Sequence, residues 1–355
     1  MRKIILGSVF WSLAACVSQE SSIGDDEYII FFPTDAFADA TGQQWNLPVH
    51  GWIHEPEKDS KARQLLLHAL AERLGLEPGD AADILFQERA GMFLVDNERG
   101  EYIEVRAAGL SAQLGPSQAN GHFSAILRLD KDAAAIPTGT TWLDVHADLP
   151  PGDARRFRGR SQLLEPEGVS VISDIDDTIK ISQVLDKRLL LENTFLKPFS
   201  PIPGMAGLYR QWAEEGAAFH YVSASPWQLY PSLQAFIDDA GYPQGSFFLR
   251  LFRLNDGSFW DFMKSSEDYK LETIRRILQA YPKRRFILVG DAGERDPEIY
   301  GAIARDFPQQ VLHVCIRDIG RVADEGPRMG QAFLGVAEER WRLFSDPLSL
   351  GDLTF

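Results

Sequence analysis

From about residue 166 onward, apolar runs of four to six residues alternate with segments of helical period, a pattern that few folds accommodate. Residues 169–173, 219–222, 286–289 and 311–316 read as strands, and 205–215, 229–240, 271–280, 297–307 and 329–344 as helices. Strands buried on both faces are almost continuously apolar, and parallel neighbours need a crossover of a dozen residues or more, usually a helix. The expected class is therefore α/β with a parallel sheet, and its functional residues are expected at the carboxyl ends of the strands.

Strand signals dominate residues 28–160. Runs over 28–32, 49–54, 123–129 and 142–147 are apolar or alternate, and 92–95 and 102–105 flank a polar turn at 96–100 that reads as a hairpin. One helix is expected over 61–74, with Leu66, Leu67, Leu70 and Leu74 on one face and Gly75 as its stop. The expectation is a β-rich, sandwich-like domain with a helical insertion, followed over 166–355 by the α/β domain.

The amino terminus reads as a targeting signal over 1–15: Arg2 and Lys3, an apolar run over 4–13, then Leu13-Ala14-Ala15-Cys16. Small residues before a cysteine match the lipobox of bacterial lipoproteins, so Cys16 is the expected lipidation site, and 16–27 a flexible acidic tether. A coil of about eleven residues spans roughly 18 Å. The expected location is the bacterial envelope, lipid-anchored and facing the periplasm or exterior, with Val17 after the cysteine resembling outer-membrane lipoproteins.

A formal net charge of -15 argues against nucleic acid, whose binders need a basic face, and against docking on anionic lipid by general attraction. The chain has two cysteines, one of them Cys16 and the other, Cys315, inside an apolar strand, so no disulfide is expected.

The chemistry-bearing residues fall at strand ends. The first strand of the α/β region runs into Asp174-Ile175-Asp176-Asp177-Thr178. Three carboxylates in four residues repel one another beside a buried strand, and a hard divalent cation such as Mg²⁺ relieves that repulsion. The second strand ends at Ser223, Lys270 stands just before a helix, and the next strand ends in Gly290-Asp291 with Asp296 five residues on.

In this order the set resembles the haloacid-dehalogenase superfamily of phosphatases. The stretches Gly168 to Lys180, Tyr221 to Tyr230, Gly290-Asp291 and Asp296 to Tyr300 resemble, more narrowly, the actin-patch-protein type of phosphatidate phosphatase, a relative of the lipins. Ala224 departs from the resemblance, which leads one to expect a polar residue there. The resemblance implies a Rossmann-like haloacid-dehalogenase domain with a minimal cap, and roles for the site. Asp174 attacks phosphorus, while Asp176 protonates the leaving alkoxide and then deprotonates water. Asp174, the Asp176 carbonyl and Asp291 hold Mg²⁺. Ser223 and Lys270 bind phosphoryl oxygens. Asp296 orients Lys270 or a metal-bound water, Thr178 belongs to the first motif, and Asp177 stands either as an outer support or as a turn residue.

The gaps between motifs leave no room for a full cap, so an open site facing a phospholipid at a membrane surface is expected, phosphatidate first. Two alternatives stay open: a broader phosphomonoesterase acting on soluble or protein phosphates, and a non-catalytic lipid-binding module. His50 and His54 share a strand face and read as packing residues, and His220 as a hydrogen-bonded core residue. Phe247, Phe248, Phe252, Phe259, Trp260 and Phe262 read mainly as core.

Overall fold

The computed structural model describes residues 21–353, apart from 57–60, 78, 80–82, 133–135, 138, 253–266 and 321–324. The signal, Cys16, Phe259, Trp260 and Phe262 lie outside the described residues.

Nine strands form a mixed sheet: β1 (Tyr28–Phe32), β2 (Thr34–Ala38), β3 (Gln44–Glu55), β4 (Asp96–Asn97), β5 (Ile103–Ala107), β6 (Leu110–Leu114), β7 (His122–Asp130), β8 (Trp142–Asp148) and β9 (Arg158–Leu164). Where a sandwich has two separate sheets, these strands hydrogen-bond into a single branched one. The long β3 is the branch, pairing with β1, β2, β4 and β7. Their inward residues, among them Phe31, Leu47, Val105, Phe123 and Val145, share one core.

Between β3 and β4 stand helices α1 (Lys61–Leu74) and α2 (Ile84–Gly91). Asp83 caps α2, accepting from the Leu85 and Phe86 amides at 2.8 and 3.2 Å. The expected hairpin at 92–105 is therefore corrected. Residues 92–95 leave α2 as a turn packed on its apolar core, and β5 pairs with β6 instead. Ala108 and Gly109, both at positive φ (46° and 83°), make that turn, as a two-residue hairpin requires.

The tether is shorter than expected. Ile23 is buried in the core of the mixed sheet, and the Ser22 amide donates to the Tyr102 carbonyl at 3.0 Å, so an apolar anchor fixes residues that read as coil.

The second sheet comprises β10 (Val169–Ser173), β11 (Ala218–Pro226), β12 (Ser246–Arg250), β13 (Arg285–Asp291), β14 (Val311–Arg317) and β15 (Trp341–Phe344). All its pairings are parallel, in the order β12-β11-β10-β13-β14-β15. The chain starts in the middle, moves outward one way, then crosses to the other side. This is a doubly wound sheet with its switch point between β10 and β13. Helices α3 (Lys187–Phe195), α4 (Met205–Glu214), α5 (Tyr230–Asp239), α6 (Glu267–Ala280), α7 (Asp296–Asp306) and α8 (Glu325–Ala332) accompany it. Lys270 lies inside the first turn of α6 rather than before it. The helix expected over 329–344 ends at Ala332. Gly335, at φ 82°, breaks it, and the chain returns as the edge strand β15.

The two sheets share apolar packing. Phe32 and Trp52 of the mixed sheet lie in one cluster with Val169, Trp227 and Phe247, and Arg89 of α2 donates to the Thr194 and Lys197 carbonyls at 2.8 Å each.

Candidate active site

Because β10 pairs with β13 as far as Ser173 and Val289, the residues just beyond are brought side by side, Asp174 on one strand and Gly290-Asp291 on the other. The Asp174 amide donates to the Val289 carbonyl at 2.9 Å, tying the end of β10 to β13. The chain then turns sharply at Ile175, whose carbonyl accepts from the Thr178, Ile179 and Lys180 amides. Asp177 takes a left-handed φ of 52°, a conformation aspartate tolerates. Thr178 Oγ1 donates to Asp174 Oδ2 at 3.0 Å.

On the β13 side, Gly290 leaves room for the site: a Cβ there would lie 2.3 Å from Asp296 Oδ2 and 2.7 Å from Tyr300. Asp291 Oδ1 accepts from the Gly293 and Glu294 amides at 2.6 and 3.3 Å, whereas Oδ2 has no hydrogen-bond partner among the described residues. Lys270 reaches in from α6. Its Nζ donates to Glu294 Oε2 at 2.7 Å and Asp296 Oδ1 at 2.8 Å. The same Nζ lies 2.7 Å from Asp174 Oδ1, an ion pair without a well-directed hydrogen bond.

Asp174, Asp291, Asp296 and Lys270 are all essentially inaccessible to solvent. Burial, opposed by Lys270 and reinforced by Asp296, Glu294 and Asp176, pushes the Asp174 carboxyl well above the usual range. Burial and the charges of Asp296, Glu294 and Asp174 do the same to Asp291. Burial alone would favour a neutral Lys270, but the surrounding carboxylates hold it charged. The site is thus short of positive charge. One oxygen each from Asp174, Asp291 and Asp296 lie within 4.8 Å of one another, and buried oxygens of Asp174 and Asp291 take no well-directed hydrogen bond. Hard, closely spaced, under-satisfied oxygens of this kind fit Mg²⁺. Both oxygens of Asp296 are engaged, with Lys270 and with the Asp291 amide, which suits it to orienting rather than ligating.

Asp176 turns to a different set of partners. Its Oδ1 pairs with Lys180 Nζ at 2.8 Å and accepts from Ser182 Oγ at 2.7 Å. Its Oδ2 accepts from Ser223 Oγ at 3.1 Å and Ser225 Oγ at 2.9 Å. Burial would raise its pKa, but Lys180 with the Ser182 and Ser225 hydroxyls brings it down to about 2. Asp176 therefore rests ionised, a departure from an acid that waits protonated. The Ser223 hydroxyl gives its proton to Asp176, not to an open phosphate position. Asp177 is more than a turn residue, because its carboxylate gathers the Ser182, Gln183 and Val184 amides at 2.7–2.9 Å and shapes the loop behind the first motif.

Lys180, Ser182, Ser225 and Glu294 join the site without being expected there from sequence, though Lys180 and Ser225 stand inside the motif stretches. Their signals are weak ones: Lys180 four residues after Asp176, and Glu294 between Asp291 and Asp296. The histidines lie elsewhere. His50 Nε2 and His122 Nδ1 are 3.0 Å apart amid Phe32, Trp52 and Trp227, and His54 packs on Trp52. His220 Nδ1 lies 2.8 Å from Asp35 Oδ2 and 3.1 Å from Ser246 Oγ, as a hydrogen-bonded core residue.

Residues 169–318 match the family model "Phosphatidate phosphatase APP1, catalytic domain". Phosphatidate phosphatase APP1 of Saccharomyces cerevisiae is 39% identical over 159 residues, 43% of this chain and 26% of that protein. An uncharacterized Schizosaccharomyces pombe protein is 34% identical over 169 residues, 46% of this chain and 27% of that protein. The chain thus spans about a quarter of the length of these relatives. A Parabacteroides merdae beta-glucuronidase structure aligns over 82% of the chain and 34% of its own at 10% identity, with a TM-score of 0.28, too low to bear on fold or function. With its strand ends, glycine and carboxylates in this arrangement, the segment 169–318 is similar to the catalytic domain of APP1-type phosphatidate phosphatases.

Proposed function

We propose that the protein is a Mg²⁺-dependent phosphatase of the haloacid-dehalogenase type that converts phosphatidate to diacylglycerol and phosphate at a membrane surface. The observation that carries this is the pair Asp174 and Asp291 on adjacent parallel strands, their under-satisfied buried oxygens set beside Lys270.

Asp174, Asp291 and the Asp176 backbone carbonyl would hold Mg²⁺, which when bound neutralises the charge between the anionic nucleophile and the phosphate. An Asp174 oxygen attacks phosphorus in line, the ester P–O bond breaks, and an aspartyl-phosphate forms. Lys270, fixed by Glu294 and Asp296, faces that same carboxylate and places its ammonium where phosphoryl charge gathers. Asp176 rests ionised, so it enters as a proton acceptor. A phosphate monoester has a second pKa near 6, and the proton it carries passes to Asp176 and on to the leaving alkoxide. Asp176, ionised again, then takes a proton from the water that hydrolyses the aspartyl-phosphate. Ser223 and Ser225 hold its carboxylate in place.

Between β10 and β11 the described residues add only α3 beyond the crossover helix α4, which is too little for a full cap domain there. A lipid on Cys16 would keep that site at the bilayer, and Cys16→Ser should release the protein from the envelope membrane fraction. The decisive assay is Mg²⁺-dependent phosphate release from phosphatidate vesicles and from a panel of soluble monoesters. Asp174→Asn should abolish release with an unchanged thermal midpoint. Wild-type rates in that variant would end the mechanism, and release from soluble esters alone would favour a broader phosphomonoesterase.

A further inference from the structure

The loop between β2 and β3, a residue of β7, the stretch leading into β10 and the end of α6 line a cavity of about 830 Å³. Leu164 and Pro166 lead into β10, and Tyr281 and Lys283 lead into β13, so the cavity lies at the amino ends of the strands whose carboxyl ends carry Asp174 and Asp291. At about 3.3 Å per residue, the 5 residues of β10 alone set the two places about 17 Å apart. No residue of the carboxylate cluster lines this cavity.

Arg128 and Lys283 bring two cations to it, and neither side chain has a hydrogen-bond or ion-pair partner among the described residues. Its one carboxylate, Asp39, is already engaged, accepting from Thr41 Oγ1 at 2.6 Å and from the Gln44 amide at 3.0 Å. In a chain of net charge -15, a cavity whose uncommitted charges are both positive stands apart from the rest of the surface. Phe37 and Tyr281 meet edge to face, ring centroids 6.2 Å apart, and with Leu164 and Pro166 give the cavity an apolar side. Cavities of about 300–1,000 Å³ suit a whole small ligand, held by apolar walls and a few placed polar groups.

We propose that this cavity is a binding site for a small organic anion, its apolar body against Phe37 and Tyr281 and its acid group toward Arg128 and Lys283. The proposal is independent of the phosphatase reading, since it uses no residue of the catalytic cluster.

The test is isothermal titration calorimetry of the full chain with naphthalene-2-sulfonate, its uncharged sulfonamide, and inorganic sulfate. The first probe carries both body and charge, the second only the body, the third only the charge. The sulfonate should bind at one site with a Kd of about 1 mM, ordinary for a ligand of its size. Arg128→Gln and Lys283→Gln should each weaken it about tenfold, the effect of one lost charged hydrogen bond. Both side chains are exposed and unpaired, so the thermal midpoints should stay at the wild-type value. Lys187→Gln, removing an exposed cation of α3 that does not line the cavity, should leave the Kd unchanged. An affinity unmoved in both cavity variants, or an equal loss in Lys187→Gln, overturns the site in favour of general charge attraction. Sulfonamide binding as tightly as sulfonate overturns the anion, sulfate binding as tightly overturns the apolar body, and no binding of the sulfonate overturns the proposal outright.

Discussion

Lys270 stands against the carboxylates of Asp174, Glu294 and Asp296 with no exposed surface to shed its charge. Replacing it with Met leaves buried negative charge uncompensated, which costs about 3–5 kcal/mol. The carboxylates are raised already, and without Lys270 they rise further, so the folded variant gains protons more readily than the unfolded chain as pH falls. Urea unfolding should show the deficit of Lys270→Met relative to wild type at pH 7.5 and a smaller deficit at pH 5.5; an equal deficit at both would mean the charge is not what the lysine balances. Lys180 acts on the other carboxylate. Lys180→Met should lower kcat with little change in KM and move the acid limb of the kcat profile to higher pH, because Asp176 loses the ammonium that keeps it ionised. The residues that a strand end displays, Asp174, Ser223 and Asp291, are legible in the sequence because strand period and topology dictate where they point. Lys180 and Glu294 are not, because what brings them in is a non-periodic turn through a left-handed Asp177 and the loop that leads into α7, whereas Ser225, two residues beyond Ser223 on β11, joins by the same strand period that displays Ser223.

Among elements, β3 and β7 carry the pH response. Their His50, His54 and His122 sit in aromatic surroundings, and burial lowers His50 and His54 to about 4, while burial together with His50 lowers His122 to about 3. The folded pKa lies below the unfolded value of 6.5, so the unfolded chain binds more protons as pH falls through about 6.5 toward 4. Stability is therefore lost on acidification, by up to about 1.4 kcal/mol per histidine per pH unit. Denaturant midpoints between pH 7 and 5 should fall steeply, and in a His50→Gln, His122→Gln variant the slope should become shallower, with His54 and His313, also lowered by burial, still contributing; an unchanged slope would place the titrating groups elsewhere. Elements such as β10 and α1 are legible because β10 is continuously apolar and Leu67, Leu70 and Leu74 of α1 face the core, although Leu66, expected on that face, is exposed. The hairpin expected at 92–105 does not form because the apolar run at its start packs on α2, a short helix whose only strong sequence signal is its Asp83 cap. The terminal helix fails for another reason: Trp341 to Phe344, a short edge strand, has an apolar content that fits either period.

At the scale of the whole molecule, the two sheets are latched by a buried trio that no sequence pattern announces, since Asp35 lies 185 residues from its partner His220. Asp35 Oδ2 accepts from Ser246 Oγ at 2.6 Å and lies 2.8 Å from His220 Nδ1, so one oxygen of the mixed sheet joins two strands of the parallel sheet. Around it the apolar cluster containing Phe32 and Trp52 continues into Trp227, directly after Ser223 to Pro226. A sheet that shares its core with its neighbour does not unfold alone, so the mixed sheet is part of the support of the second motif and not an independent appendage. Asp35→Ala leaves the Ser246 hydroxyl and the His220 ring without their acceptor in a dry interior, at about 1–3 kcal/mol. Because the latch lies off the catalytic carboxylates, the loss should appear as a lower urea midpoint with phosphate release and tryptophan fluorescence declining together, and kcat below the transition close to wild type. If release vanished at a urea concentration where fluorescence was still native, the two sheets would be separable, and the cooperative coupling drawn from their shared core would be wrong.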